Sequence, residues 1–304
     1  MSGAVSVANL FIIGAPKAGT TSVAQWLGQH PEVYWCTPKE PFFWASDFPG
    51  QRHHHGFDTL SQYEALYSSS AAQGARWRGD GSTTYLYSRE ALSSIEAHSH
   101  SSARYVALVR NPVDLIVSYH RTQIISLNQS ESDFTAAWAS SEKGLAPTGN
   151  PLDPKLLNYQ MIGKQGDALA RTIELVGRDR LLILVFEDLR RDPTSAWTSL
   201  SDFLELDANF TPEFSVHNES NRTMRWPLLR SLVHRPPAIV SQPMARLRQA
   251  ASQGESAILK SLRQRLWKQT DRPSIDDPTR EMLREYFAAD VKTLESLLDR
   301  ALSW

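Results

Sequence analysis

A lysine, a glycine and three hydroxyl residues lie where an apolar run gives way to an amphipathic one. Residues 11–27 read FIIGAPKAGTTSVAQWL, with Lys17 ahead of Gly19. The start of a helix offers free N–H groups and the positive end of its dipole, and small residues let an anion approach the backbone. The pattern therefore predicts a phosphate site. The predicted contact residues are Pro16, Lys17, Ala18, Gly19, Thr20, Thr21 and Ser22.

The position of the lysine distinguishes this segment from the loop of nucleoside triphosphatases. In that loop, G-x-x-x-x-G-K-[ST], the lysine follows the last glycine and reaches the β and γ phosphates. Here Lys17 precedes Gly19, which places it beside the phosphate and over the attached group. This arrangement suits a leaving group better than a polyphosphate chain around magnesium. A strand–turn–helix with hydroxyl capping and no ligand is the alternative.

A second pair of residues follows another apolar run. Arg110 comes directly after YVALV, and Ser118 lies about two helical turns into the next segment. Polar residues at the carboxyl ends of buried strands lie where open α/β sheets bind ligands. Arg110 and Ser118 are therefore candidates for a second phosphate site. The alternative is an ion pair between Arg110 and Asp114 or another carboxylate of the rim.

Strand-like and helical patterns alternate around these residues. Apolar runs without strict alternation indicate strands covered on both faces, and helices between them indicate parallel pairing. We therefore predict an α/β fold, a P-loop-like three-layer domain with a central parallel sheet flanked by helices and a helical C-terminal segment. The predicted strands are 8–15, 32–37, part of 76–86, 103–110 and 179–189. The predicted helices are 20–31, 61–69, 112–123 with Asn111 as its cap, about 156–176, and 278–298, with a loop at 141–157.

Composition narrows the class of protein. The chain has 304 residues, 41% of them hydrophobic, which is ordinary for a soluble globular protein. A net charge of -1 gives no reason to expect a nucleic-acid partner. The single Cys36 rules out an internal disulfide framework, and no apolar run is long enough for a membrane span. We predict a cytoplasmic protein, although a chain trimmed of an anchor would look the same.

The histidine run at 53–55 has two interpretations. It lies in a polar segment without a nearby cysteine or carboxylate cluster. Adjacent histidines cannot all face one ion without strain. We therefore favour a solvated loop over a metal site, and no metal is predicted.

Together these motifs resemble the sulfotransferases that use 3′-phosphoadenosine-5′-phosphosulfate (PAPS). PKAGTTS resembles their 5′-phosphosulfate loop, and RNPVDLIVSYHR resembles their 3′-phosphate motif. KEPFFW is similar to a segment of bacterial members and of the heparan sulfate branch. GDGSTTYLYS and LLILVFEDLRRDP are similar to two further segments of the family. The resemblance covers about residues 8–304.

The resemblance implies a reaction and roles for two residues. A sulfuryl group would pass in line from PAPS to a hydroxyl or amine acceptor, leaving 3′-phosphoadenosine-5′-phosphate (PAP), without a metal. Lys17 would stabilise the leaving phosphate. Many cytosolic members have a histidine base on the strand matched by GSTTYL, which holds no histidine here. The heparan-type branch has a glutamate base in the segment matched by KEPFFW, so the resemblance implies that Glu40, beside aromatic residues, is the general base. A surface Glu40 paired with Lys39 is the alternative, and His53–His55 and His120 are further base candidates.

The resemblance also implies contacts outside the two phosphate motifs. Arg222 and Arg225 would close over the nucleotide as a basic loop, unless that loop is merely solvated. The expected acceptor is a carbohydrate, a lipid or another small molecule, and loops 44–75 and 124–158 would select it. Phe42 and Thr83 stand where relatives often have histidine and proline, which indicates unusual acceptor contacts. The candidate acceptor residues are Lys39, Phe42, Trp44, Tyr85 and Tyr159.

The domain organisation and the alternatives to this function follow from the same reading. We predict one sulfotransferase domain over 1–304, with an α/β core at 8–215 and a nucleotide-covering and helical part at 216–304. A P-loop kinase or other phosphotransferase is one alternative, and a nucleotide-binding protein of the same fold without catalysis is another. Whether the chain forms a homodimer is left open.

Overall fold

The computed structural model describes residues 7–99, 103–146, 149–214, 222–224, 267–269 and 275–304. The strands are β1 Leu10–Gly14, β2 Val33–Trp35, β3 Trp77–Asp80, β4 Arg104–Val109, β5 Leu181–Val185, β6 Arg222–Met224 and β7 Trp267–Gln269. The described α-helices are α1 Thr20–Leu27, α2 Pro49–His55, α3 Leu60–Glu64, α4 Ser70–Gly74, α5 Ala91–Ser99, α6 Pro112–Ile125, α7 Phe134–Glu142, α8 Tyr159–Gly163, α9 Gln165–Val176, α10 Phe186–Arg191, α11 Pro193–Leu204 and α12 Asp277–Leu298.

Five strands form one parallel sheet in the order β2-β3-β1-β4-β5. The chain runs from the central β1 outward to β2, returns through β3, and then crosses to β4 on the other side. The connections therefore change direction between β1 and β4, and ligands of open α/β sheets bind beside the carboxyl ends of such strands. The predicted α/β class with a parallel central sheet and a C-terminal helix is confirmed. β6 and β7 form a separate antiparallel pair.

The central strands are buried along their whole length. Every residue of β1 is buried, and so are the five residues 105–109 of β4. This is the pattern expected of strands covered on both faces, and it explains why their sequences do not alternate. The polar residues that follow these two strands therefore lie where the apolar core meets the carboxyl edge of the sheet.

The predicted strand at 179–189 and the predicted helix at about 156–176 are each divided into two elements in the structure. The strand predicted at 179–189 ends at Val185, and α10 begins at the next residue. Glu187 and Asp188 lie in the first turn of α10, where negative charges complement the helix dipole. The helix predicted at about 156–176 is divided at Lys164 into α8 and α9, and the Asn158 side chain caps α8.

The histidine run is helical instead of lying in the predicted loop. His53–His55 form the last turn of α2, which ends at Gly56 with a φ of 79°. Glycine in the left-handed region is a common helix C-terminus, and histidine is favourable near that end of the dipole. Within the described residues, no group of three or more His, Cys, Asp or Glu side chains is arranged to hold a metal ion.

The C-terminal helix α12 packs on the helices that follow β4. The buried Asp290 carboxylate accepts hydrogen bonds from the Gly166 and Asp167 N–H groups, each at 2.9 Å, and so caps the start of α9. Arg280 forms an ion pair with Asp114 of α6 at 3.1 Å. The last helix is thereby fixed to the two helices nearest the carboxyl end of β4.

The predicted division of the domain near residue 215 stays a prediction, because much of 215–274 lies outside the described residues. None of the helices in the described parts is both long enough and apolar enough to cross a bilayer.

We expect Asp290→Ala to lower the free energy of unfolding by about 1–3 kcal/mol, because two buried N–H groups would lose their acceptor. Urea denaturation followed by circular dichroism measures the change. Glu285→Ala, an exposed carboxylate on the same helix, is the matched control and should stay within about 0.5 kcal/mol of the unchanged protein. An Asp290→Ala variant as stable as this control would contradict the capping role.

Candidate functional site

The loop between β1 and α1 presents backbone N–H groups at the carboxyl edge of the sheet. It turns through left-handed conformations at Lys17, with a φ of 68°, and at Gly19, with a φ of 93°. A Cβ on Gly19 would lie 3.1 Å from the Phe186 ring, so a larger residue would need that ring to move. No side chain caps α1 at Gly19. The first N–H groups of a helix have no partner within it, so those of Thr20 and Thr21 suit an anion.

The remaining loop residues contribute shape or side-chain polarity. Ala18 is fully buried, and its N–H already donates to the Ala15 carbonyl at 3.3 Å. Pro16 and Ser22 are half-buried. The predicted strand–loop–helix is therefore present. The N–H groups that could bind an anion belong to the first residues of the helix more than to Ala18.

Arg110 joins the end of β4 to this loop. Its Nη1 donates to the Lys17 carbonyl at 2.9 Å, and its guanidinium lies 4.7 Å from the centroid of the Phe186 ring. The fully buried Gln165 side chain accepts from the Arg110 N–H at 3.0 Å and donates to the Arg110 carbonyl at 2.7 Å. The Asp114 carboxylate, the alternative partner considered for Arg110, contacts Arg280 instead. The structure thus brings the two predicted anion-binding segments together.

The structure describes the other predicted nucleotide contacts in part. Asn111 caps α6 as predicted, its Oδ1 accepting from the Val113 N–H at 3.0 Å. Ser118 is half-buried two turns into α6. Arg222 lies in β6, of which the structure describes the backbone, and Arg225 lies outside the described residues. Ser118, Arg222 and Arg225 stay predicted nucleotide contacts.

The predicted base lies in a polar cluster beside α1. Lys39 Nζ is 2.6 Å from Glu40 Oε1, and it also donates to the Gly81 carbonyl at 3.2 Å and the Thr20 hydroxyl at 3.4 Å. The Thr83 hydroxyl donates to Glu40 Oε2 at 3.1 Å. The ion pair considered as an alternative is therefore present. It lies against the first residue of the proposed anion-binding helix, so it also belongs to the candidate site.

A buried carboxylate holds the segment after Glu40. Asp80, at the end of β3, accepts from the hydroxyls of Ser82 at 2.6 Å, Tyr85 at 2.9 Å and Tyr63 at 3.0 Å. Burial raises the pKa of Asp80 to about 6, and these hydrogen bonds oppose the rise. Ser82 Oγ then accepts from the N–H of Phe42, and the Tyr85 hydroxyl from the N–H of Trp44. Asp80 thus positions the backbone two residues beyond Glu40, where Phe42 has a φ of 57°.

Two predicted acceptor residues belong to the core. Tyr85 has no exposed surface, and its hydroxyl is engaged by Asp80. Tyr159 has no exposed surface either, and its hydroxyl lies 2.8 Å from His120 Nδ1. Both are corrected from acceptor-facing to core positions, because burial and their hydroxyl partners fix them there.

The remaining acceptor and base candidates differ in how far they are exposed. Phe42 and Trp44 are also buried, though a small part of each remains exposed, and the Phe42 ring packs 4.7 Å from the His55 ring. His53 is exposed and pairs with Asp58 at 3.0 Å. Burial lowers the pKa of His120, so its ring is neutral. The ring contacts the Tyr159 hydroxyl and not the loop between β1 and α1.

Sequence reasoning missed several residues that shape the site. Gln165 and Asp80 are fully buried polar residues, and Phe186 lies between the anion loop and Arg110. Asp80 and Phe186 each lie at the carboxyl end of a strand, a signal that the sequence carried for both. Gln165 carried no such signal, because it reaches Arg110 through tertiary packing.

Comparison with known proteins decides the family. A family model described as the sulfotransferase family matches residues 9–212. The chain belongs to the sulfotransferase family. The match spans both predicted anion-binding segments and the Lys39–Glu40 pair. It confirms the family resemblance, while the heparan sulfate branch stays a prediction.

A solved sulfotransferase structure shares this fold, and two further sulfotransferase structures match part of the chain. The sulfotransferase from Alicyclobacillus acidocaldarius matches with a TM-score of 0.70 and 21% identity, over 98% of each chain. A sulfotransferase domain from the Synechococcus PCC 7002 olefin synthase has a TM-score of 0.43 and 22% identity, over 68% of this chain and 77% of its own. A mouse sulfotransferase complexed with PAP has a TM-score of 0.44 and 16% identity, over 67% of this chain and 60% of its own. No curated protein sequence matches.

The raised pKa of Asp80 makes the stability of this sulfotransferase depend on pH. The folded protein holds the Asp80 proton more tightly than the unfolded chain, whose ordinary pKa is 3.8. The resulting stability is fully present below that value and is lost as pH rises through about 6. At about 1.4 kcal/mol per pKa unit, the loss is on the order of 2–3 kcal/mol.

Asp80→Asn should remove this loss, because asparagine does not titrate. We expect the stability of the unchanged protein relative to Asp80→Asn to fall as the pH rises from 4 to 7 in urea denaturation. Other titrating carboxyls are common to both proteins and cancel in the difference. A difference that stays constant over this range would show that Asp80 does not titrate there.

Proposed function

We propose that this sulfotransferase transfers the sulfuryl group of PAPS to a hydroxyl or amine acceptor. The observation that carries the proposal is the Arg110 hydrogen bond to the Lys17 carbonyl, which unites two anion-binding segments at one edge of the sheet. PAPS carries a 5′-phosphosulfate and a 3′-phosphate, so two joined anion sites fit it. The uncapped start of α1 supports the first site, and Arg110 with Ser118 supports the second.

Each proposed role follows from where its residue lies. The α1 N–H groups and Lys17 bind the 5′-phosphate and stabilise the charge that develops as the S–O bond to it breaks. Glu40, which Lys39 links to Thr20, accepts the proton that the acceptor loses as its oxygen or nitrogen bonds to sulfur. The products are the sulfated acceptor, PAP and a protonated Glu40, which returns its proton to solvent. Arg222 and Arg225 would cover the nucleotide.

The proposed acceptor is a small molecule, a lipid or a carbohydrate. The predicted acceptor loops 44–75 and 124–158 contact each other, with Lys155 Nζ 3.4 Å from Asp47 Oδ2 and 4.5 Å from the centroid of the Phe48 ring. Lys39 directly precedes the proposed base, and Phe42 and Trp44 lie on the segment that leads from the base into the first of these loops. This segment supports an acceptor site between Glu40 and the two loops.

Donor recognition is tested by calorimetric binding of PAP, 5′-AMP and ATP without metal, with the ATP titration repeated in the presence of magnesium. We expect micromolar binding of PAP and at least about tenfold weaker binding of 5′-AMP, because a charged hydrogen-bond partner contributes about 1.5–3 kcal/mol. Arg110→Ala should weaken the binding of PAP and leave the binding of 5′-AMP nearly unchanged. Arg284→Ala, an exposed arginine on α12, is the control. No preference for the 3′-phosphate, with magnesium-dependent ATP binding, would favour the kinase alternative.

The catalytic roles are tested by PAP release from PAPS with a panel of acceptors: a phenol, a glycoside and a long-chain alcohol. Lys17→Met should lower kcat about 10²–10³-fold, the effect of losing one preorganised charge-stabilising donor. Glu40→Gln should lower kcat about 10²–10⁴-fold while PAP affinity is retained. Circular dichroism confirms that each variant is folded. Near-normal kcat in either variant would remove that residue from the mechanism.

A further inference from the structure

Lys39 contacts both the proposed base and the proposed donor site. Its Nζ is 2.6 Å from Glu40 Oε1 and 3.4 Å from the hydroxyl of Thr20, the first residue of α1. A third bond, to the Gly81 carbonyl at 3.2 Å, places the ammonium between these two groups. A single cation therefore lies between the carboxylate that would take the acceptor's proton and the helix start that would bind the donor's phosphosulfate.

The Glu40 carboxylate and a donor bound at the start of α1 would compete for the Lys39 ammonium. A sulfuryl group attached to a phosphate at the start of α1 would bring anionic oxygens close to Thr20, and these attract an ammonium as the Glu40 carboxylate does. A lysine side chain has a flexible stem and three donors, so it can exchange one anion for another without moving the backbone. The pair keeps limited solvent access, with the side chains of Lys39 and Glu40 20% and 28% exposed.

We propose that Lys39 holds Glu40 while the donor site is empty and moves to the sulfuryl oxygens when PAPS binds. This inference rests on the proposed function. The hydrogen bond from Lys39 to Glu40 Oε1 breaks, a hydrogen bond to the sulfuryl group forms, and no proton or covalent bond changes. Because Lys39 and Thr83 each donate to one oxygen of Glu40, the release of Lys39 frees Oε1 to accept a proton when the donor is present.

Thr83 keeps the carboxylate in place during this exchange. Its hydroxyl donates to Glu40 Oε2, whereas Lys39 Nζ lies 2.6 Å from the other carboxylate oxygen, Oε1. When Lys39 leaves, Glu40 therefore retains one hydrogen bond and its orientation. Thr83 is a positioning residue for Glu40, at a position where the resemblance led us to expect proline, which has no side-chain hydroxyl.

A double-mutant cycle on donor affinity tests the exchange. Calorimetry without acceptor compares PAPS and PAP on the unchanged protein, Lys39→Met, Glu40→Gln and Lys39→Met/Glu40→Gln. Removing the competing carboxylate should strengthen PAPS binding about tenfold in Glu40→Gln, with PAP nearly unchanged, because PAP has no sulfuryl group. In the Lys39→Met background, Glu40→Gln should strengthen PAPS binding threefold or less.

Direct charge repulsion predicts the opposite pattern. If Glu40 only repels the sulfuryl group, its removal strengthens PAPS binding equally or more when Lys39 is absent. An equal or larger gain in the Lys39→Met background would therefore overturn the proposal, as would no gain in either background. Arg284→Met, which breaks an exposed arginine–carboxylate pair with Glu281 on α12, is the control for a general loss of positive charge.

The same titrations separate this proposal from the function on which it rests. If PAP binds with a clear preference over 5′-AMP and the cycle shows no coupling, the donor assignment stands and the role of Lys39 is wrong. If neither PAP nor PAPS binds, the proposed function fails, and the exchange fails with it.

Discussion

The hydrogen bond from Arg110 to the Lys17 carbonyl joins two strand ends at the place where the connections of the sheet change direction. Each segment offers one predicted anion site, so the proposed donor, which carries two phosphates, needs both segments. Gln165 holds both backbone polar groups of Arg110, and Phe186 packs beside its guanidinium. These contacts restrict Arg110 at its backbone and its side chain, so the distance between the two anion-binding segments is set before a ligand arrives.

A second buried polar centre supports the acceptor side. Asp80 gathers three hydroxyl groups, and two of those hydroxyls accept N–H groups from the segment that follows Glu40. Its charged form is disfavoured by burial, and the hydrogen bonds offset part of that cost. The proposed base thus lies between two rigid supports, the end of β3 and the start of α1, with Lys39 in contact with both.

Much of the sheet and part of the site were predictable from the sequence. The apolar runs around β1 and β4, and the polar residues directly after them, follow from local rules of strand burial and helix initiation. Residues such as Gln165 and Tyr85 were not predictable, because their surroundings come from distant parts of the chain. Tyr85 was predicted as an acceptor residue, yet its side chain is buried and its hydroxyl donates to Asp80. The cytoplasmic location, the assembly state and the acceptor stay predictions.

The cap that Asp290 places on α9 has a consequence for how the molecule is made. The loop, Arg110 and the Lys39–Glu40 pair are all encoded in the first 110 residues, whereas Asp290 is 180 positions further along. A growing polypeptide therefore carries every proposed contact of the loop and the base long before it has the carboxylate that fixes the helix beginning with Gln165. The helix that begins with Gln165, the residue that holds Arg110, is therefore capped only once the segment carrying Asp290 has been synthesised and has docked.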